Sequence, residues 1–425
     1  MPKATKKKER GDGRLHITYN EMGQGDSILI KCPNGKVVVI DCGAARWDGN
    51  YFDPPATPGQ LRERAIKVLF EPRFLGNDQT VNALILTHAD KDHCNEVASI
   101  FNHTLIESPP IPKVTKIEAL YFSGALNHYL EGNAAHYLNT QRPPDNSYAI
   151  TVNQNEKKLS VNGANAQNIK DSAAGKAEIN KKSKQNQTEG FIKILDGTDS
   201  AGTLSCDVYI LASNVTTYPG INDGYADKTP EAVRNRSSVV TMVIYGDKKF
   251  LFLGDATYHT EKFLKDTYGP KINNLEMVHV GHHASYRTSS SYKSDGYQEQ
   301  NVKKIDFVSH VNPKYLAVSA AYDSGSSLKL PRWETINNYI QGAPRLAAKN
   351  GAVIHCWWAE HKSATGSGLK RKKADWVEYE VDNKTTDRYV LCTGTDGAID
   401  FDYKEAAGKA RAYRVKKDGK EEFMP

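Results

Sequence analysis

The sequence predicts an α/β fold: two mixed sheets with helices on their outer faces. Three observations predict it. Strand-like runs alternate with helical runs along both halves of the chain. Each half holds a hairpin with its own turn signal. Three separate apolar runs also stop abruptly at His or Asp, as strands do where they deliver side chains to a sheet edge.

In chain order, "RLHITY" at 14–19 alternates as a strand should, and "GQGD" (Gly23 to Asp26) turns it into the next strand. "SILIKC" and "KVVVIDCG" flank Pro33-Asn34-Gly35 and read as a hairpin. Residues 60–71 read as a helix and 83–87 as a strand; "CNEVASIFNHTL" then has helical spacing at Val97, Ile100 and Phe101. A strand over 114–122 and a helix over 127–138 follow. From about 141 to 190 the composition turns to Asn, Gln, Lys, Ser, Ala and Gly, with little to bury, and predicts an exposed polar insertion. "FIKIL" and "CDVYILAS" restore order, and "SSVVTMVIYG" with "KFLFLGD" predicts a second hairpin turning at Gly246-Asp247. "LEMVHVGHH", "PKYLAVSA", the helical "RWETINNYIQG", "AVIHCWW", "DWVEYEV", "RYVLCTG" and "AIDFDY" complete the alternation. The predicted organisation is a basic flexible arm at 1–13, one domain at 14–400 carrying the insertion, and a basic tail at 401–425.

The chain has 425 residues, a formal charge of +6 and a pI near 8.7, which mildly favours anionic partners. No apolar stretch approaches the roughly 20 residues of a membrane helix, so membrane insertion is not expected. "MPKATKKKERGDG" lacks the apolar segment of a secretory signal. The six cysteines form no CxxC pair, which argues against a zinc finger or a disulfide framework and suggests the cytoplasm.

The chemistry concentrates in "ILTHADKDHCNE". His88, Asp90, Asp92 and His93 crowd one turn behind Ala83-Leu84-Ile85-Leu86. "FLFLGDAT" stops at Asp255 and "MVHVGHHAS" at His282 and His283. Alone, each is ordinary loop chemistry; three such strand ends on one sheet edge could converge on zinc, manganese or iron, and an Asp between two ions could bridge them.

Several segments resemble, in order, those of the metallo-β-lactamase fold, and within it the hydrolase domain of the bacterial DNA-uptake protein ComEC and its soluble relatives. They are "GQGDSILI", "KVVVIDCG", "LTHADKDH", "NRSSVVTMVIYGDKKFLFLGD", "VGHHASYRTSS", "GAVIHC" and "TDGAIDF". "LTHADKDH" is similar to that branch's form of the HxHxDH signature, with an acid in second position. The resemblance implies a four-layer αββα sandwich holding two divalent ions, Zn or Mn. His88 and Asp90 would bind one ion, Asp92 and His93 the other, with Asp255 bridging and His282 completing the second site. His283 would then orient phosphate or donate a proton, although which member of the pair ligates stays open. Asp92 would orient the attacking water or shuttle its proton, so catalysis would rest on Asp92, Asp255 and His283. Asp26 and Asp41 fall in early loops around the site; Asp41 would hydrogen-bond a ligand histidine or merely cap a turn. Ser285, Ser289 and Ser290, with Thr288 nearby, would contact phosphate, while Lys91 and Arg287 would meet an anion or face water.

Two departures stand out. The fold's further histidine between the first motif and the bridging Asp has no match, and His128 and His136 are candidates by position alone. Ala284 replaces a family glycine, which is tolerable if its φ stays negative.

The resemblance implies a hydrolase in which a metal-bound hydroxide attacks a phosphodiester, a phosphodiesterase or nuclease acting on DNA first. Small nucleotides or phosphocholine-type esters are the alternative substrates. A noncatalytic nucleic-acid-binding or defence-complex subunit that keeps the metal site is the alternative class. A protein partner or a homo-oligomer stays open. Trp47, Tyr51, Tyr286 and Tyr292 could stack on bases, whereas Trp357 and Trp358 continue a strand and pack.

Overall fold

Side-chain alternation in the N-terminal strands sets the layers. Leu15, Ile17, Tyr19, Ile28, Ile30, Val38, Ile40 and Ile85 share one core with Val208, Met242, Phe250 and Phe252 from the second half of the chain. Their neighbours Leu29, Val37, Val39, Leu84, Leu86, Leu120 and Phe122 point the other way, against Ala65, Ile66, Leu69, Ile100 and Phe101 of two helices. A period of two thus gives one sheet an inner face and a helix-covered outer face.

The structure is a computed structural model describing residues 11–45, 57–108, 110–153, 158–163, 191–215, 230–285, 288, 307–321, 330–347, 355–360, 375–380, 389–393, 398–406, 408–415 and 421–423. The first sheet runs, edge to edge, Glu421–Phe423, Lys409–Val415, Ile399–Ala406, Arg14–Tyr19, Ile28–Lys31, Val37–Ile40, Ala83–Leu86, Ala119–Ser123, Asn146–Asn153 and Lys158–Gly163. The second runs Ile192–Asp196, Cys206–Ala212, Val240–Tyr245, Lys248–Phe252, Met277–His279, Tyr315–Val318 and Val390–Cys392. Tyr19 stacks on Phe252 with ring centroids 6.2 Å apart, and Tyr403 meets Phe250 at 5.0 Å, so the sheets pack face to face. The helix Tyr258–Tyr268 buries Phe263 and Leu264 in the core of the second sheet. The fold is the four-layer αββα sandwich that the sequence predicts.

Local signals explain most boundaries. Thr57 and Gln60 form a reciprocal capping box, and Pro58 opens the helix Pro58–Leu69. Gly35, at φ +85°, turns the first hairpin, and Gly246, at φ +58°, turns the second between Tyr245 and Lys248. The expected helix over 127–138 is instead a chain of short turns. Gly132 and Asn133 take positive φ there, and Gly132 lies so close to Asn95 that a Cβ would sit 1.8 Å from its carbonyl oxygen.

Two predicted boundaries are corrected. The chain beyond 400 is not a tail: Ile399–Ala406 pairs with the first strand from Tyr19↔Ile399 to Arg14↔Lys404, and Phe401 and Tyr403 are buried. Its apolar residues alternate onto the core face, a pattern that a count of basic residues hides. The polar insertion also begins later than expected. Asn146–Asn153 pairs in parallel with Ala119–Ser123 and buries Tyr148 and Ile150, while 164–190 lies outside the described residues. Residues 1–10 of the basic arm lie outside them too. Among the described residues no helix is long and apolar enough to cross a membrane.

His16 ties the C-terminal strand to the N-terminus. Its Nδ1 lies 2.6 Å from Asp402 and its Nε2 2.9 Å from Asp12. Burial alone would lower its pKa, but the two carboxylates outweigh burial and raise it above 6.5. Burial would raise Asp12, yet His16 outweighs that and holds it below 3.8. The histidine contribution is complete below 6.5 and is lost as pH rises through its raised folded value. The Asp12 contribution is present above 3.8 and is lost as pH falls through its lowered value. In thermal melts from about pH 5 to 9, the stability gap between the protein and His16→Gln should therefore shrink as pH rises. A gap that stays constant would contradict this account.

Candidate metal centre

Parallel pairing brings the motif-bearing strand ends together. Ile40 pairs with Ile85 and Phe252 with His279, so Asp41 and the His88 turn leave one sheet where Asp255 and His282 leave the other. The early loops are laid on the motif backbone. Cys42 N–H donates to His93 C=O at 2.9 Å, Asp26 N–H to Asp92 C=O at 3.0 Å, and Glu96 N–H to Cys42 C=O at 2.9 Å. Gly43 passes so close that a Cβ would lie 2.3 Å from the Asp92 carbonyl carbon and from the His93 nitrogen. Only glycine permits that approach.

Three buried imidazoles converge on one carboxylate. His93 Nε2 lies 3.2 Å from Asp255 Oδ1, His283 Nε2 3.5 Å from the same oxygen, and His88 Nε2 3.8 Å from Asp255 Oδ2. His283 Nε2 also lies 3.5 Å from Asp92 Oδ2. In each ring the opposite nitrogen is already engaged. Asp41 Oδ2 accepts from His93 Nδ1 at 2.7 Å, and the Ser319 carbonyl accepts from His283 Nδ1 at 2.8 Å. The Thr87 hydroxyl donates to Asp41 Oδ2 at 2.6 Å, so its lone pair faces His88 Nδ1 at 3.1 Å. Neutral, all three rings thus carry their proton on Nδ1 and aim an Nε2 lone pair at Asp255.

Those atoms suit a cation. His93 Nε2, His283 Nε2 and Asp255 Oδ1 are buried without a hydrogen-bond partner among the described residues, an arrangement costly for protein alone and ordinary for ligands. Two donor trios, His88–His93–Asp255 and Asp92–His93–His283, each lie within 4.8 Å. A third, Asp26–Asp41–His93, sits behind His93, whose Nδ1 is already held by Asp41. The charges agree. Burial would raise Asp255, but His283, His93 and His282 outweigh it and hold the carboxyl well below 3.8. Burial would lower His283, but Asp255 and Asp92 push it up to about 9. Burial, aided by the charge of Asp26, raises Asp41 despite its contacts with His93 and Thr87.

The structure differs from the sequence reading at several residues. His283, not His282, joins Asp92 and His93; it is 2% exposed, which removes it from the cleft where it was expected to handle phosphate. The reason is backbone. His282, His283 and Ala284 all adopt positive φ, at 50°, 50° and 58°, in a strained left-handed turn that swings the second ring inward. Ala284 therefore does not keep the negative φ that would make it harmless. His282 Nε2 lies 3.8 Å from Asp255 Oδ2 but also meets Asn235 Nδ2 at 3.0 Å, while its Nδ1 meets Ser285 Oγ at 2.8 Å. Ser285 is thus occupied in orienting His282 rather than turned to a phosphate. Asp90 sits 3.6 Å from His88 through one oxygen, while the other pairs with Arg234. His128 lines the cleft and His136 meets Thr140, and neither joins a donor trio. Arg287, Ser289, Ser290, Tyr286, Tyr292, Trp47 and Tyr51, like the side chains of Trp357 and Trp358, lie outside the described residues.

Four participants escaped the sequence reading. His279, inside a strand, sits 3.5 Å from Asp26 and 3.1 Å from Ser319 Oγ. Together with His93 and His283 it outweighs burial and holds Asp26 well below 3.8. Ser319, Arg234 and Asn235 come from segments without metal-ligand spacing, and only tertiary contact reveals them. A cleft of 890 Å³ opens beside the cluster, with Asp90, Asp92, Lys91 and Arg234 on its wall. Leu130 and Val233, also on that wall, are 72% and 39% exposed.

No family model matches the sequence. ComE operon protein 3 of Bacillus subtilis is 28% identical over 95 residues, which is 22% of this chain and 12% of that protein's length. Among solved structures the chain is similar to the metallo-β-lactamase fold protein YhfI from Bacillus subtilis, with 10% identity and a TM-score of 0.34, covering 79% of this chain and 93% of that one. It is similar also to the short form of human tRNase Z, with 10% identity and a TM-score of 0.32, covering 71% and 91%. These likenesses concern fold.

Proposed function

We propose that the chain is a metal-dependent hydrolase of the metallo-β-lactamase fold that cleaves phosphodiesters. The observation that carries this reading is the convergence of three Nδ1-anchored imidazoles on Asp255, with buried, unpartnered ligand atoms at the centre. His93, His283, Asp92 and Asp255 would hold the inner ion, and His88 with Asp255 would hold part of an outer one. The mixed imidazole–carboxylate set suits Zn or Mn. A bound divalent cation supplies Lewis acidity, lowering the pKa of water and offsetting charge on phosphoryl oxygens.

The residues divide the remaining work. Asp92 lines the cleft with its side chain 22% exposed, and His283 and His93 outweigh burial to keep it ionised, so it can orient a water and take its proton. Lys91 and Arg234 offer cationic side chains to a phosphate on a wall that also carries Asp90, Asp92 and Glu131. Leu130 and Val233 give it apolar surface on which a nucleobase can rest. That combination favours nucleic acid or nucleotides over a carbonyl substrate, with DNA as the first candidate. The likeness to ComE operon protein 3 supports placing the chain near the ComEC-like branch. The test is hydrolysis of labelled single-stranded DNA, duplex DNA, RNA and cyclic nucleotides by protein loaded with Zn or Mn, beside a lactam and a thioester. Phosphodiester cleavage abolished by a chelator is expected. Metal-loaded protein that cleaves only the carbonyl substrates would overturn the reading.

A further inference from the structure

Among the described residues, His93 and His283 present Nε2 atoms with no hydrogen-bond partner, but two further residues expected to bind metal do not. Asp90 gives Oδ1 to the Arg234 guanidinium, and His282 Nε2 accepts from the Asn235 amide at 3.0 Å. Both competitors are consecutive residues of one short helix, Pro230–Arg236. Asp90 and His282 accordingly belong to none of the donor trios within 4.8 Å among the described residues. The inner set is held from behind instead, by Asp41 on His93 and the Ser319 carbonyl on His283.

We infer that Arg234 and Asn235 set the affinity of the outer metal position, making the two positions unequal: the inner binds readily, and the outer must displace both side chains of this helix. The physical reason is direct. A cation entering beside Asp90 meets a guanidinium that already neutralises that carboxylate and repels a second positive charge. A cation approaching His282 must take a lone pair already accepting a hydrogen bond. Arg234 is a positioning residue in this role. It is a third exposed on the cleft wall, where a substrate phosphate could draw it from Asp90.

The inference rests on the metal-dependent reading above, and calorimetric titration of chelator-treated protein with Mn(II) or Zn(II) separates the two. The intact chain should take one equivalent tightly and a second more weakly. In Arg234→Gln the second equivalent should tighten by roughly tenfold or more, the scale of outer contacts to ligands, while the first is unmoved. Asn235→Ala should do the same, and a thermal melt of each variant checks folding. Two equal equivalents in the intact chain, or a second equivalent weakened by either change, would overturn the inference and leave the metal reading standing. Absence of any binding would remove both.

Discussion

Asp255→Asn is expected to lower kcat by on the order of 10³-fold and to abolish tight metal binding, with the fold retained. Among the described residues, Asp255 is the one carboxylate within 4 Å of His88, His93, His282 and His283 together. Lewis-acid assistance contributes several kcal/mol to such a barrier, and each 1.36 kcal/mol is tenfold in rate. The amide keeps the volume, so loss of activity cannot be blamed on a cavity. Steady-state hydrolysis and metal content of the same preparation check it, with circular dichroism as the folding control. Activity near that of the intact chain would place the chemistry elsewhere.

Asp41 separates orientation from ligation. It accepts from Thr87 N–H at 2.7 Å, Thr87 O–H at 2.6 Å and His93 Nδ1 at 2.7 Å, fully buried at φ +55°. Asp41→Asn tolerates that backbone and retains an oxygen for Thr87, but removes the charge behind His93. About 10- to 100-fold weaker metal binding is expected, read by competition with a coloured chelator. Asp41→Ala strands His93 and both Thr87 donors, and should also destabilise the chain by about 3–5 kcal/mol in denaturant melts. Metal affinity unchanged in both variants would mean that Asp41 only caps its turn.

Much of this was legible in the sequence. Period-two alternation marked the strand at 14–19, unbroken apolar runs marked those at 28–40 and 83–86, and turn residues placed both hairpins, because these signals are local. The ends at His88, Asp255 and His283 were legible because apolar runs that stop at ligand-type residues are unusual. What failed depended on backbone direction or on distant chain. The choice between His282 and His283 turns on a left-handed stretch at 282–284 that no propensity encodes. The competition of Arg234 for Asp90 joins residues 144 positions apart. The strand at "AIDFDY" was legible, but its run to Ala406 was not, because the basic residues that follow read as a tail from 401.

The most direct test is the metal content of the purified chain, measured by plasma mass spectrometry after exhaustive dialysis against Zn- or Mn-containing buffer and then against metal-free buffer. The ligand geometry predicts at least about one equivalent retained per chain, falling to background in Asp255→Asn. A chain that retains none, and whose hydrolytic activity is indifferent to chelators, would contradict the claim that these imidazoles and carboxylates form a metal centre.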